Sequence, residues 1–208
     1  MNRLWNLIRP SGRAHPLYGQ YMGWSFVSNV LVSAETVLAA HSVLAAVDCG
    51  SSDTMRTMNY MGKDVIGQLA SLKYMSTMGS QADKKPTAFV RSSNVLQQAS
   101  YGLVCITPLL PVHYFLPVAG FGNMCATIAF TGFGAINARC IKNLALDDDV
   151  GEIYAKVSGL NTLGSTIGMT MGLGMVAIIP DHGMRMCLIP VLGMGRYYTY
   201  NWAIEGLV

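Results

Sequence analysis

The sequence predicts an all-α fold: an integral membrane helical bundle of about six helices, four to five of them spanning and one amphipathic. Three observations predict it. The 208 residues are 51% hydrophobic and only 12% charged, about half the charge of an average soluble domain. No Asp, Glu, Lys or Arg occurs in the 47 residues from Ser92 to Ala138 or in the 24 from Val157 to Pro180. A crossing takes roughly 20 apolar residues, so the first run has room for two and the second for one. Finally, Gly164, Gly168 and Gly172 recur every fourth residue inside the second run, a stripe on which another helix can pack closely in lipid.

The chain divides into a basic N-terminal segment, residues 1–16, and a helical membrane domain, residues 17–208. Arg3, Arg9 and Arg13 alternate with short apolar groups, and no acid precedes Glu35. That composition resembles an organellar targeting segment, here expected to be retained, and equally suits a basic tail lying on anionic headgroups. The first helix is expected from Leu17 to Val47, ended by Asp48-Cys49-Gly50, with Tyr18, Tyr21 and Trp24 at an interface. A second begins at the Ser52/Asp53 cap. Its Met58, Met61, Val65, Leu69 and Leu72 share one face, with Arg56, Lys63, Gly67 and Ser71 opposite. It is read as lying on the membrane surface or against the bundle.

A polar linker, Gly79 to Lys85, leads to a third helix, Thr87 to Ile106, and the Thr107-Pro108-Leu109-Leu110-Pro111 run forces a turn, because proline lacks an amide donor and disfavours helix before it. The fourth helix, His113 to Asn143, has Pro117 in its first turn or kinked by it. After the acids Asp147, Asp148, Asp149 and Glu152, read as a solvated helix start, comes the fifth helix, Gly151 to Ile179. Its glycine stripe is expected to face Gly120, Gly122, Gly132 and Gly134 of the fourth. Pro180 to Gly183 turns the chain into the last helix, Met184 to Gly206, with an aromatic cluster at Tyr197, Tyr198, Tyr200 and Trp202.

The formal charge is +3 and the basic residues are scattered, which argues against nucleic-acid binding. Five cysteines at irregular spacing are expected as buried free thiols. Neither a Ser/His/Asp nor a Cys/His arrangement is evident, and no enzyme activity, metal or cofactor is expected.

Four segments resemble the Root UVB Sensitive (RUS) family from Tyr18 to Leu207. They are Tyr18-Gly19-Gln20-Tyr21-Met22-Gly23-Trp24; Lys63-Asp64-Val65-Ile66-Gly67-Gln68, like the family's K-D-x-x-G-Q; Ala119-Gly120-Phe121-Gly122-Asn123; and Gly151-Glu152-Ile153-Tyr154-Ala155-Lys156, like G-D-V-(S/T)-A-K. Tyr200-Asn201-Trp202-Ala203 is similar to the family's N-Y-R-A, shifted in its aromatic positions. Ala126 and Leu160 stand where the resemblance implies Lys and Gln. The resemblance implies a minimal version of the family core, a location in plastids or mitochondria, and a link to vitamin B6 balance, without a defined reaction.

Ionisable residues within membrane segments are functional candidates by default. His41 and His113 are weak candidates for proton handling or haem ligation, and Glu35 is placed to pair with His41. Lys63 and Asp64 are adjacent and expected to find partners elsewhere, whereas Lys156 pairs with Glu152 at i, i+4. The fourteen methionines are read as gap fillers. The function expected is that of a non-catalytic accessory subunit of a large organellar membrane complex, the mitochondrial respiratory chain of the inner membrane, contacting other subunits and lipids such as cardiolipin. The alternative is a small-molecule carrier or channel, in a mitochondrial or plastid membrane, with Asn123, Asn161, Lys156, His113 and Pro117 as polar lining.

Overall fold

The computed structural model describes residues 10–13, 15–47, 52–147 and 149–208. Among them there are six α-helices and no strands: α1 (Tyr18–Val47), α2 (Asp53–Lys84), α3 (Pro86–Ile106), α4 (Phe115–Leu144), α5 (Val150–Ile178) and α6 (His182–Ile204). The Ser52 hydroxyl accepts the Met55 amide at 3.4 Å to cap α2, and Asp181 accepts the Met184 amide at 2.7 Å to cap α6. Two 3₁₀ turns, Thr107–Leu109 and Val112–Tyr114, join α3 to α4 around Pro108 and Pro111, and Pro117 falls in the first turn of α4, where its missing amide costs nothing. The stop signal after α1 at Asp48-Cys49-Gly50 lies outside the described residues. Gly79 to Lys85 is not a linker: α2 runs on to Lys84, and only Lys85 separates it from α3.

The helices form two groups. One gathers α1, α5 and α6; the other is α2, α3 and α4, consecutive in the chain. The glycine stripe of α5 builds the first group, but its partner is α1 and not α4. A Cβ on Gly164 would meet the Phe26 carbonyl oxygen at 3.0 Å, one on Gly172 the Ala34 carbonyl oxygen at 3.0 Å, and one on Gly168 would overlap the Val30 carbonyl. The glycines of α4 serve the second group: Gly122 receives Val104 and Leu103 of α3, Gly132 receives Ser93 and Phe89, and Gly120 receives Ile66 of α2, while Gly134 faces open space. Three glycines, Gly120, Gly122 and Gly132, thus let one helix hold two neighbours.

Helix α2 lies against the bundle by its small, polar face. Lys63, Gly67 and Ser71 are buried, whereas Met58, Met61, Val65, Leu69 and Leu72 point outward, Met58 at 65% exposure. Gly67 lets α2 come close to Asn123 and Thr127, and the Ser71 and Thr131 hydroxyls meet at 3.2 Å. Hydrogen bonds between close backbones decide which face packs.

Two helical segments, Tyr18–Val47 and Val112–Leu144, are long and apolar enough to cross a membrane, fewer than the four to five expected. The reason is that uncharged is not the same as apolar. Ser92, Ser93, Asn94, Gln97, Gln98 and Ser100 crowd α3, and α5 carries Asn161 and Thr162 with Ser165, Thr166 and Thr170, so neither is apolar over a full crossing.

The acids before α5 fasten the start of the chain. Glu152 accepts the Ser11 amide and hydroxyl at 3.0 and 2.8 Å, Asp147 accepts the Arg13 amide at 2.8 Å, and the His15 amide donates to the Leu144 carbonyl at 3.1 Å. The expected Lys156–Glu152 pair forms at 2.6 Å. Asp148 lies outside the described residues. Lys156 and then Ser11 hold the Glu152 carboxyl down to about 2, so this clasp is complete above the ordinary glutamate range and is lost as pH falls through that value. Proteolysis at Arg13 is therefore expected to be slow at pH 7, and faster both at pH 2 and in Glu152→Gln at pH 7. On the glycine stripe, Gly168→Ala should destabilise the purified protein by about 1–3 kcal/mol through overpacking. Gly159→Ala, with nothing near its Cβ position, should leave the thermal unfolding midpoint unchanged or raised.

Candidate functional site

A cleft separates the two helix groups, with α1 on one side and α4 on the other, and its floor carries charge. Glu35, fully buried on α1, sits 3.1 Å from the Arg196 Nε of α6, itself only 3% exposed. Gln98 of α3 donates to the other Glu35 oxygen at 2.8 Å. Three helices converge on one carboxylate, and Gly193, one turn before Arg196, leaves the room that Gln98 occupies. Beside the pair, the Arg196 Nη2, the Tyr200 hydroxyl and both amide atoms of Gln97 are buried without hydrogen-bond partners in the chain. Groups of that kind cost about 1–3 kcal/mol each when left unmet, which makes this a place where a polar ligand gains by binding.

The cleft holds a cavity of about 250 Å³ lined by Ser25, Ser28, Asn29, Phe133, Asn137 and Arg196. Phe133 stands edge-on to Tyr200 at 5.0 Å, and the Arg196 guanidinium lies 5.6 Å from its ring centre. Asn137 is fixed by the Tyr21 hydroxyl at 2.5 Å. A second cavity, about 180 Å³, lies further along the same cleft among Thr36, Tyr60, Lys63, Tyr101 and Asn123. There Lys63 pairs directly with its neighbour Asp64 at 2.6 Å and caps the Tyr60 ring at 4.2 Å. The expectation that Lys63 and Asp64 diverge is thus corrected, because the long lysine stem reaches back along the helix. Asn123 donates to the Lys63 carbonyl at 3.0 Å and to Asp64 at 3.2 Å.

Of the residues singled out from sequence, Asn123 lines the second cavity. Asn161 accepts the Ser25 hydroxyl at 3.1 Å and lines a neighbouring cavity between α4 and α5. Lys156 belongs to the N-terminal clasp instead. His41 does not pair with Glu35: it lies 3.0 Å from Arg185 of α6, and Glu35 turns inward to Arg196. His113 is exposed and stacks on Tyr114 at 4.2 Å, so the two histidines never meet. Cys105, Cys125 and Cys140 are buried free thiols as expected, Cys187 is exposed, and Cys49 is outside the described residues. Arg196, Gln97 and Gln98 were missed. Arg196 is the one charge between Met186 and Ile204, which is the signal that could have found it.

Breaking a buried ion pair strands a charge, at about 3–5 kcal/mol. Arg196→Met should therefore lower the stability of the purified protein by that much, and Glu35→Leu added to it should recover most of the loss, read as thermal unfolding midpoints.

Four of the five motifs that carried the family resemblance meet in pairs. Lys63-Asp64 and Gly67 dock on Asn123, while Gln20 donates to the Trp202 carbonyl at 2.9 Å and Trp24 packs on Trp202 at 4.8 Å. The family profile described as "Vitamin B6 photo-protection and homoeostasis domain" matches residues 12–204. Among curated relatives, "Protein root UVB sensitive 4" of Arabidopsis thaliana is 27% identical over 84% of this chain and 34% of its own length. "Protein root UVB sensitive 2, chloroplastic" of the same plant is 25% identical over 84% of the chain and 41% of its length. "RUS family member 1" of Dictyostelium discoideum is 21% identical over 87% and 36%. The chain spans about a third to two fifths of these relatives. No solved structure matches. A profile match over nearly the whole helical bundle, with relatives from a plant and an amoeba aligned to the same region, places this chain in the Root UVB Sensitive family, the family of the vitamin B6 photo-protection and homoeostasis domain.

Proposed function

We propose that this chain is a membrane-embedded binding and carrier module for a small polar organic molecule of the vitamin B6 type. The observation that carries this reading is the polar cleft between the two helix groups. Its two walls, α1 and α4, hold the two segments apolar enough to span a membrane, and its charged floor lies at Glu35, near the middle of α1. Ionisable groups at that depth mark ligand pathways, and carriers place their site where two bundles meet. The family description supplies the ligand class. This reverses the order of the two functions expected from sequence, because the interior is far more polar than the motifs suggested.

The location proposed is an organellar membrane, the mitochondrial inner membrane or, as for the relative named chloroplastic, a plastid membrane. Lys84, Lys85 and Arg91 gather at the exposed corner between α2 and α3, which suits an anionic headgroup such as that of cardiolipin. A second reading, an accessory subunit of a respiratory complex, is favoured by the outward methionine and leucine stripe of α2, which a neighbouring subunit would cover.

Proteoliposomes holding the purified chain should accumulate radiolabelled pyridoxine above empty vesicles, and Asn123→Leu should return uptake to the empty-vesicle level. Absence of uptake, together with co-migration with a respiratory complex on native gels, would favour the second reading.

A further inference from the structure

Helix α4 presents Asn123, Phe130 and Asn137 at intervals of seven residues, two turns or about 10 Å apart on one stripe. Each marks a step along the cleft. Asn123 lines the cavity that contains Lys63, Asn137 lines the one that contains Arg196, and Phe130 is the side chain common to both. Asn137 in turn also lines the cavity between α4 and α5, where Asn161 stands. Three cavities therefore follow one another along α4, and the first two are separated at a single ring. Phe130 is 51% exposed, unlike Phe133, which is packed on Tyr200. An unclamped phenylalanine changes rotamer on a fast timescale, so the partition between the cavities is a movable one.

The two chambers share an electrostatic design. In each, a cation is bonded to a carboxylate of the chain: Arg196 to Glu35 at 3.1 Å and Lys63 to Asp64 at 2.6 Å. A solute with net charge would leave an uncompensated charge at low dielectric in either chamber. A net-neutral molecule with a positive and a negative end adds no net charge beside either pair. Asn123 and Asn137 each offer a donor and an acceptor to its hydroxyl groups.

Building on the carrier reading above, we infer that Phe130 is the gate between two stations for a small, net-neutral, dipolar solute, one station at Arg196 and Asn137 and the other at Lys63 and Asn123. The test uses the full chain in proteoliposomes, with pyridoxine as the net-neutral probe and pyridoxal phosphate as the anionic one. Phe130→Ala is expected to raise pyridoxine exchange about tenfold, and Phe130→Trp to lower it about tenfold. Because Phe130 is half exposed, neither change opens a hole in the core, and an unaltered thermal midpoint checks this. If the unmodified chain exchanges pyridoxine and both variants match its rate, the gate is overturned and the carrier reading stands. If pyridoxal phosphate moves faster than pyridoxine, the net-neutral class is overturned. If the unmodified chain neither binds nor moves pyridoxine, the carrier reading fails and takes the gate with it.

Discussion

A guanidinium that is almost wholly buried has to be neutralised where it stands, and Arg196 obtains this from its ion pair with Glu35, whose other oxygen is held by Gln98. The three residues lie on α6, α1 and α3, so this one requirement ties the group of α1, α5 and α6 to the group of α2, α3 and α4. Within each group, packing is close and glycine-mediated. Between the groups, two buried apolar clusters set α1 and α6 against α3 and α4, and the ion pair adds to them. The pair does not make the fold more stable than an apolar plug of equal volume would, since desolvation offsets most of its attraction. What it does is add a directional link to an otherwise apolar contact, beside which polar atoms of Arg196, Gln97 and Tyr200 are left without hydrogen-bond partners in the chain.

Polarity elsewhere in the bundle is arranged to match. Ser25, Ser28, Ser93, Asn94 and Ser100 are buried, while Leu72, Val95, Leu173, Ile178 and Val191 are exposed. Apolar burial is gathered in two clusters inside the bundle, and close backbone approach and interior hydrogen bonds add to its cohesion. The α1–α5 contact shows this, since Gly164, Gly168 and Gly172 bring one helix onto the backbone of another with little side chain between them. Threonines on the outer face of α5 return their hydroxyls to the carbonyl four residues back, as Thr162, Thr166 and Thr170 do at 2.9–3.0 Å, so these groups are satisfied without water.

Helix positions were legible because their ends are written in local chemistry: Ser52 as a cap, Pro108 and Pro111 as breaks, and Pro180 to Gly183 as a turn. Partners were not. A four-residue glycine stripe says that something packs there, but whether α1 or α4 supplies the other surface depends on which backbone can reach it, and that is a property of the whole bundle. Helix α2 was legible as amphipathic and misleading as to its inner face, because close approach at Gly67 and the contacts of the Lys63 carbonyl and Ser71 hydroxyl, and not its apolar stripe, set how it packs. Glu35 was noticed and assigned to His41 on the same helix; sequence spacing reveals neighbours along one helix and is blind to Arg196, 161 positions away. The cleft followed the same rule. Asn123 was identified through its motif, whereas Phe130 and Asn137 carry no motif and gain meaning only once α1 lies opposite them.

The pairing of family motifs gives the two groups different duties from the cleft. Lys63-Asp64 and Asn123 close the seam between α2 and α4, and Gln20, Trp24 and Trp202 close the seam between α1 and α6. Each seam lies within one group, so each stiffens a unit while leaving the gap between units alone. The N-terminal clasp works differently, since Ser11 and Arg13 reach Glu152 and Asp147 beside the junction of α4 and α5, where the two groups are joined covalently. The two units are joined by the chain and its clasp, by the ion pair near the middle, and by two buried apolar clusters that set α1 and α6 against α3 and α4, so their spacing is held. With the helices held, the movable part of the cleft is the half-exposed Phe130 side chain itself.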